Sequence, residues 1–418
     1  MIKKIKISFL DVLIYISLTF LCMQFFTLVN PLGFCQFFDA LGLKHIFMLL
    51  TVFVGFVSDL RKGKLNIKNF TYEIKMVVVA VISLVLISFI IYMAFNGYAN
   101  YWISQVYFFL IPLLFAYTVF KNDFSKQRFR QIVNFILVIT SIYYTIFMLS
   151  VILSGETRLS FSYIDSTSPF ESEIAHFYLL MYIFYTFNSS IPGKMVSALF
   201  CILAWKRLCL VCLVLVTIAG LMRISNKRIS VSYIIGITVV FTILPLLTEY
   251  MLSPEFSKWF NEFTGLDFVK FTNFRYYSIQ TAIKNSVESR GLGTFFSVRV
   301  PWYGKYVDIS MHNDLVRLYL EVSLVGLVIY LLCTALIAKR RFSSFVIIYL
   351  FIEMSGSHLI GNGGIPYWML GYSLVFYFNR YDRDGRGNVF PVEDEGVGNR
   401  TSLRKRVRIH DGKITLRK

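Results

Sequence analysis

His312-Asn313-Asp314-Leu315-Val316-Arg317, followed by Glu321, gathers an imidazole, two carboxylates and a guanidinium at the head of one apolar stretch. Asp314, Arg317 and Glu321 stand at i, i+3 and i+7, so on a helix they share a face. An imidazole titrates near neutral pH and can act as a general base; at an interface it can equally be a plain hydrogen-bonding group. Arg317 and Glu321 fall within the apolar stretch itself, where charge is expensive in lipid and turns toward protein. Two readings stay open for the trio: an internal ion-pair ladder that holds a bundle together, or an arginine that meets an anionic substrate.

Lys206-Arg207 interrupts a second apolar stretch, running from Ala198 to Leu221. Such a pair needs an anionic partner. A carboxylate from a neighbouring helix would serve, and so would a phosphate, which a guanidinium grips with two parallel hydrogen bonds. Arg275, Arg290 and Arg299 lie in a polar stretch with Lys258, Lys270, Lys284 and Lys305, against a slightly smaller set of acids. Much of that charge reads as a solvated face. Glu171, Glu173 and His176 open another apolar stretch. Acids there suit a helix start, although a carboxylate beside a sugar could also orient its hydroxyls.

Other chemistries lack their residues. Cys209-x-x-Cys212 has metal-like spacing, but no histidine is near it in sequence and zinc needs three or four ligands, so no metal is expected. Gly291-x-Gly293 lacks the Gly-Lys-Ser/Thr and the preceding strand of a phosphate loop. No Asp-x-Asp pair stands where metal-assisted sugar transfer would use one. No cofactor is expected, and the six cysteines form no readable disulfide framework.

The elements that must position these residues follow from composition. Of 418 residues, 56% are hydrophobic and only 16% charged, against about 25% charged in a soluble protein. Lipid is therefore the solvent, and backbone groups in hydrocarbon must pair internally. The apolar runs are continuous and near the ~20 residues that cross a bilayer as a helix, without the alternation of barrel strands. The expected fold is all-α, a polytopic transmembrane bundle of about 12 spans. They are placed at 8–29, 42–57, 76–95, 101–120, 132–153, 176–188, 195–205, 208–222, 231–251, 313–338, 345–360 and 366–379. Segment 195–205 is short enough to be re-entrant or tilted. The basic start and long apolar run to Val29 read as an uncleaved first span.

The net charge of +18 would suggest nucleic acid in a soluble protein. Here it reflects topology, because cytoplasmic loops collect Lys and Arg. With both termini in the cytoplasm, most of the 42 Lys and Arg fall inside. Residues 154–175, Lys206-Arg207 and the long segment 252–312 between spans nine and ten then face outward. Within that segment Tyr276, Ile279, Ile283 and Val287 recur at helical spacing. With Gly291 as a stop, an amphipathic helix is predicted at 273–289, lying against the membrane domain. The chain divides into a membrane domain, 1–379, and a basic tail, 380–418, too polar to bury a core and expected to be disordered, with a charge that suits contact with anionic lipid.

In order and spacing, Asn273-Phe274-Arg275, Arg290-Gly291-Leu292-Gly293, His312-Asn313-Asp314, Glu321 and Gly326-Leu327 resemble the signature of the O-antigen polymerase and O-antigen ligase superfamily. Trp205-Lys206-Arg207 resembles the family's Ser-Arg between two short spans, with Lys206 in place of serine. No tryptophan follows Arg275 where the family often has one. The resemblance covers 275–330 closely, and the span count and basic inner loops agree over most of the chain.

The resemblance implies a GT-C-related membrane glycosyltransferase of the bacterial inner membrane. Its substrates would be oligosaccharide repeats on undecaprenyl diphosphate, joined into O-antigen, capsule or exopolysaccharide at the outer face with neither metal nor nucleotide sugar. The leaving group is a lipid diphosphate, whose charge fixed cations stabilise. The expected assignments are Arg207 and Arg275 to the diphosphate, His312 to the attacking hydroxyl, and Lys206, Arg317, Arg290, Glu321 and Asp314 to further substrate contacts. Implied partners are membrane lipid, a chain-length regulator and a flippase, and no nucleic acid. A ligase moving finished polymer onto lipid A core shares the motifs. A lipid-linked oligosaccharide flippase is a further alternative, although the internal repeats and mid-membrane breaks of transporters are not evident.

Overall fold

The computed structural model describes residues 8–26, 33–61, 72–95, 102–120, 126–154, 168–272, 275–302, 305–357, 359–383, 389–391, 409–410 and 413–414. Its helices are α1 (Phe9–Met23), α2 (Gly33–Ala40), α3 (Leu43–Arg61), α4 (Tyr72–Ala94), α5 (Trp102–Phe120) and α6 (Lys126–Ser154). There follow α7 (Ile174–Phe187), α8 (Ile191–Leu203), α9 (Arg207–Leu221), α10 (Val231–Met251), α11 (Pro254–Thr264), α12 (Phe268–Phe271) and α13 (Arg275–Asn285). A hairpin, β1 (Ser297–Trp302) with β2 (Lys305–Ser310), precedes α14 (Asp314–Leu336), α15 (Arg341–Gly356) and α16 (Ile365–Arg380).

Every stretch expected to span contains a helix. Among the described residues, seven helices are long and apolar enough to cross a membrane: α1, α3, α4, α5, α6, α10 and α14. Their outward faces are apolar, with Phe53, Phe89, Ile90, Leu153 and Val240 all more than half exposed. In water that surface would drive aggregation; in lipid it is the normal face of a span. The chain is a multi-pass, mostly helical membrane protein.

The expected dozen spans reduce to these seven and five shorter helices. α8 has 13 residues, about 20 Å at 1.5 Å per residue, short of a hydrocarbon core of about 30 Å. α7 has 14 residues, all buried, so protein surrounds it on every side. α7 packs against α8, α9 and α16, while α14 packs between α4 and α10.

The bundle has two chemically different ends. At one end Asn226 donates to the Phe378 and Tyr381 carbonyls, Arg340 donates to the Asn226 carbonyl, and Arg380 donates to the Phe120 carbonyl. Lys339 pairs with Glu73 at 2.8 Å there. At the other end meet the starts of α7, α9 and α14 and the ends of α10 and α15, beneath α11–α13 and the hairpin.

In segment 252–312 the predicted amphipathic helix appears as α13, which ends at Asn285. Ile279 is buried beside Phe295, Val298, Val300, Met311, Val316 and Leu320, with Tyr276 and Ile283 packed against them. Val287, assigned to that face, lies beyond the helix and is 73% exposed. Residues 273 and 274 lie outside the described residues. The hairpin departs from the all-α expectation. Val298 and Val300 are buried while Ser297 and Arg299 face out, the period of two that a strand with one covered face requires.

Of the tail, the described residues include only short strands, β3 (Tyr381–Arg383) with β4 (Val389–Pro391) and β5 (Ile409–His410) with β6 (Lys413–Ile414). The expectation of disorder there otherwise falls outside the described residues.

Candidate active site

The junction between α8 and α9 takes three residues. Trp205 sits at φ 53°, costly for a bulky residue, so the packing around it must impose that conformation. The turn leaves Lys206 extended as the residue before α9, with Arg207 as its first helical residue. The Ala204 carbonyl accepts the Ser172 N–H at 3.2 Å, tying the junction to the segment before α7. Lys206 Nζ reaches Glu171 Oε1 at 2.7 Å and Glu173 Oε1 at 2.9 Å. Burial pulls the lysine pKa down, but the Glu173 and Glu171 carboxylates more than offset that and hold it above its ordinary value.

On the opposite wall Arg275 opens α13 and donates through Nη1 to the Gly356 carbonyl at the end of α15. Burial lowers its pKa, with the Glu173 and Glu353 carboxylates opposing and the Arg207 guanidinium adding to the depression. Asn313 caps α14, its side chain accepting the Val316 N–H at 3.0 Å, which fixes His312 just outside the helix.

These pieces enclose one cavity of ≈ 350 Å³. Glu171, Glu173, His176, Lys206, Arg207, Arg275, His312, Asn313 and Glu353 line it, with Met251, Leu252, Phe268, Tyr276 and Ile279 as its apolar side. Three cations and three carboxylates therefore share a pocket with two imidazoles, and an apolar wall adjoins them. Such a lining can hold an anionic head group, keep an attached apolar chain on one side, and accept a proton.

The expected site residues divide. Arg207, Arg275 and His312 come together here from separate parts of the chain. Lys206 also lines the cavity, but Glu171 and Glu173 already neutralise it, so it acts as a brace rather than an anion contact. Asp314, Arg317 and Glu321 are buried in α14 away from the lining, at 0%, 1% and 0% exposure, and their expected substrate contact is not supported. Arg317 Nη1 is 3.4 Å from Asp314 Oδ1 and its Nε 3.9 Å from Glu321 Oε1. Its Nη2 also donates to Gln105 and to the Ile360 carbonyl. Glu321 accepts the Phe295 N–H at 2.9 Å. This is the ion-pair ladder, with the hairpin approach and the segment after α15 fastened to it. Arg290, also expected at the substrate, instead donates to the Ser286 carbonyl at 2.7 Å and lies 5.4 Å from the Phe95 ring centre.

Sequence reasoning missed Glu353. It is 1% exposed, and its Oε1 has no hydrogen-bond partner among the described residues. Its Oε2 approaches His176 Nδ1 at 2.5 Å. The available signal was a lone carboxylate inside an apolar run, which marks a candidate site in a membrane helix. The link between His176 and Cys209 had no such signal, because α7 and α9 meet only in the fold.

Comparison with family models, with curated proteins and with solved structures finds no match to this chain.

Proposed function

We propose that this protein is a membrane glycosyltransferase that joins undecaprenyl-diphosphate-linked oligosaccharide repeats into a longer polysaccharide. One observation carries the reading: Arg207, Arg275 and His312 line a single cavity with an apolar wall. The guanidiniums stabilise the diphosphate as it leaves, where fixed charge in a poorly hydrated pocket acts strongly. His312 orients or deprotonates the attacking sugar hydroxyl. The apolar wall of Met251, Leu252 and Phe268 takes the first isoprene units of the carrier.

The end rich in Lys and Arg lies away from the cavity, which supports a cytoplasmic placement for that end and an outward-facing cavity. Both termini are then cytoplasmic, and the twelve-helix GT-C-related arrangement includes the five short helices as partial or tilted crossings.

Purified protein reconstituted with lipid-linked repeats, and with no other protein or gradient, tests the proposal. Chains of several repeats are expected from the wild type and none from His312→Ala or Arg275→Ala at equal protein level. Transfer only to an added lipid A core acceptor would make the protein a ligase. Full-length chains from both variants would remove the assigned roles.

A further inference from the structure

The geometry points to a divalent transition-metal site in the cavity wall, formed by His176, Cys209 and Glu353. His176 stands near the start of α7, Cys209 near the start of α9 and Glu353 near the end of α15. All three therefore lie about one turn in from the same end of the bundle, on three different helices. Their donor atoms fall within 4.8 Å of one another, and all three residues are buried.

The argument is one of proton accounting. His176 Nδ1 lies 2.5 Å from Glu353 Oε2, 2.8 Å from Cys209 Sγ and 3.0 Å from the Tyr349 hydroxyl. A ring nitrogen offers one in-plane site, a single hydrogen or a single lone pair, so it satisfies one of these neighbours; the Tyr349 hydroxyl can turn to the His176 carbonyl at 3.4 Å, and the thiol and carboxylate compete for what is left. Glu353 Oε2 has His176 as its one close polar contact, and Oε1 has no hydrogen-bond partner among the described residues, which is costly for a buried carboxylate. A cation shared by the three donors removes both difficulties after a small opening of the cluster, since metal bonds of about 2.0–2.3 Å set the donors further apart than they now stand.

Charge agrees. A thiolate, a carboxylate and a neutral imidazole together carry two negative charges, which a divalent ion cancels. The cluster stays neutral beside Arg207 and Arg275, and the thiol proton leaves to solvent on binding. Sulfur, imidazole and carboxylate donors select the zinc class of ions over magnesium or calcium. His176 Nε2 is 3.6 Å from Glu173 Oε2, too long for a hydrogen bond but near enough for the carboxylate to close on the imidazole once a metal holds the other ring nitrogen. Because His176 and Glu353 line the cavity, the fourth position opens to it and takes water or an oxygen ligand.

The site departs from the expectation of no metal, and Cys209 finds its partners across helices rather than in Cys212. It also stands apart from the glycosyl-transfer proposal, because metal uptake is read without any sugar substrate. Full-length protein in detergent is stripped with a chelator and then titrated with Zn²⁺ or Co²⁺. Saturable uptake of about one ion per chain is expected, with a thiolate-to-cobalt charge-transfer band in the near ultraviolet. Cys209→Ser should lose that band and weaken uptake at least about tenfold, while Cys212→Ser retains both. A wild-type cobalt form without the band, or no saturable uptake, overturns the proposal however the variants fold. The cluster would then be a metal-free imidazole–carboxylate ion pair.

Discussion

Arg317 grips Ile360: its Nη2 donates to the Ile360 carbonyl at 3.0 Å. Asp314 completes the grip by accepting the Ile360 N–H at 2.6 Å, and the Asp314 N–H donates to the Ser357 carbonyl at 3.3 Å. The segment after α15 is thus clamped to the start of α14. That segment follows directly from Gly356, whose carbonyl receives Arg275. A buried ladder with no cavity contact therefore sets the position of a cavity arginine.

Arg317→Met should consequently act on stability before chemistry. It leaves Asp314 and Glu321 as buried, uncompensated carboxylates, a loss of about 3–5 kcal/mol. The expected outcome is a large drop in unfolding temperature of the detergent-solubilised protein, with partial recovery in Asp314→Asn/Arg317→Met/Glu321→Gln. A single variant as stable as the wild type would contradict the clamp.

Arg207→Lys separates two-pronged phosphate contact from simple charge. Loss of one charge-assisted hydrogen bond in the transition state is worth about 1.5–3 kcal/mol. Polymer formation by reconstituted protein should fall roughly tenfold to a hundredfold at unchanged expression. An unchanged rate would make Arg207 a structural partner.

Lys206→Met should destabilise without direct effect on the anion site. Glu171 and Glu173 would then face each other without their shared cation, at a cost of about 1–2 kcal/mol for this partly exposed cluster. Adding Glu171→Gln should restore much of the loss. The lysine pKa is raised in the folded state, so its contribution is complete below the ordinary lysine value and declines as pH rises through the folded value. Thermal unfolding followed into strongly alkaline buffer should show that decline in the wild type and not in Lys206→Met.

Arg290→Ala should leave chain formation close to wild type. Its contacts are the Ser286 carbonyl and the Phe95 ring, which fasten the loop after α13 to the end of α4. The expected cost is about 1 kcal/mol of stability, read as a modest fall in unfolding temperature. Loss of product with normal stability would return Arg290 to the substrate.

Val298→Asp tests the hairpin as the support behind α13, whose Tyr276 and Ile279 line the cavity. Val298 is 2% exposed among Ile279, Phe295 and Leu320, and an unpaired carboxylate there should cost several kcal/mol. Protease nicking within 286–312 should rise in membranes. Resistance equal to the wild type would mean that the seat of α13 does not depend on this packing.

The sequence by itself determined the solvent, the helix positions and the side chains able to meet an anion. Those depend on hydrophobic runs and residue type, which are local properties. Arg207 and His312 were legible because a cation or an imidazole at the edge of an apolar stretch is conspicuous wherever the chain goes, whereas Arg275, in a polar stretch, stood out only through the resemblance of its motif. Only the tertiary structure decided which charges face the cavity and which face each other. Lys206 meets Glu171 and Glu173, and Arg317 meets Asp314, Glu321 and Ile360, because packing fixes the rotation of each helix and the depth at which it starts. The convergence of His176, Cys209 and Glu353 was invisible for the same reason: three helices distant in sequence bring those residues to one level only when they are packed side by side.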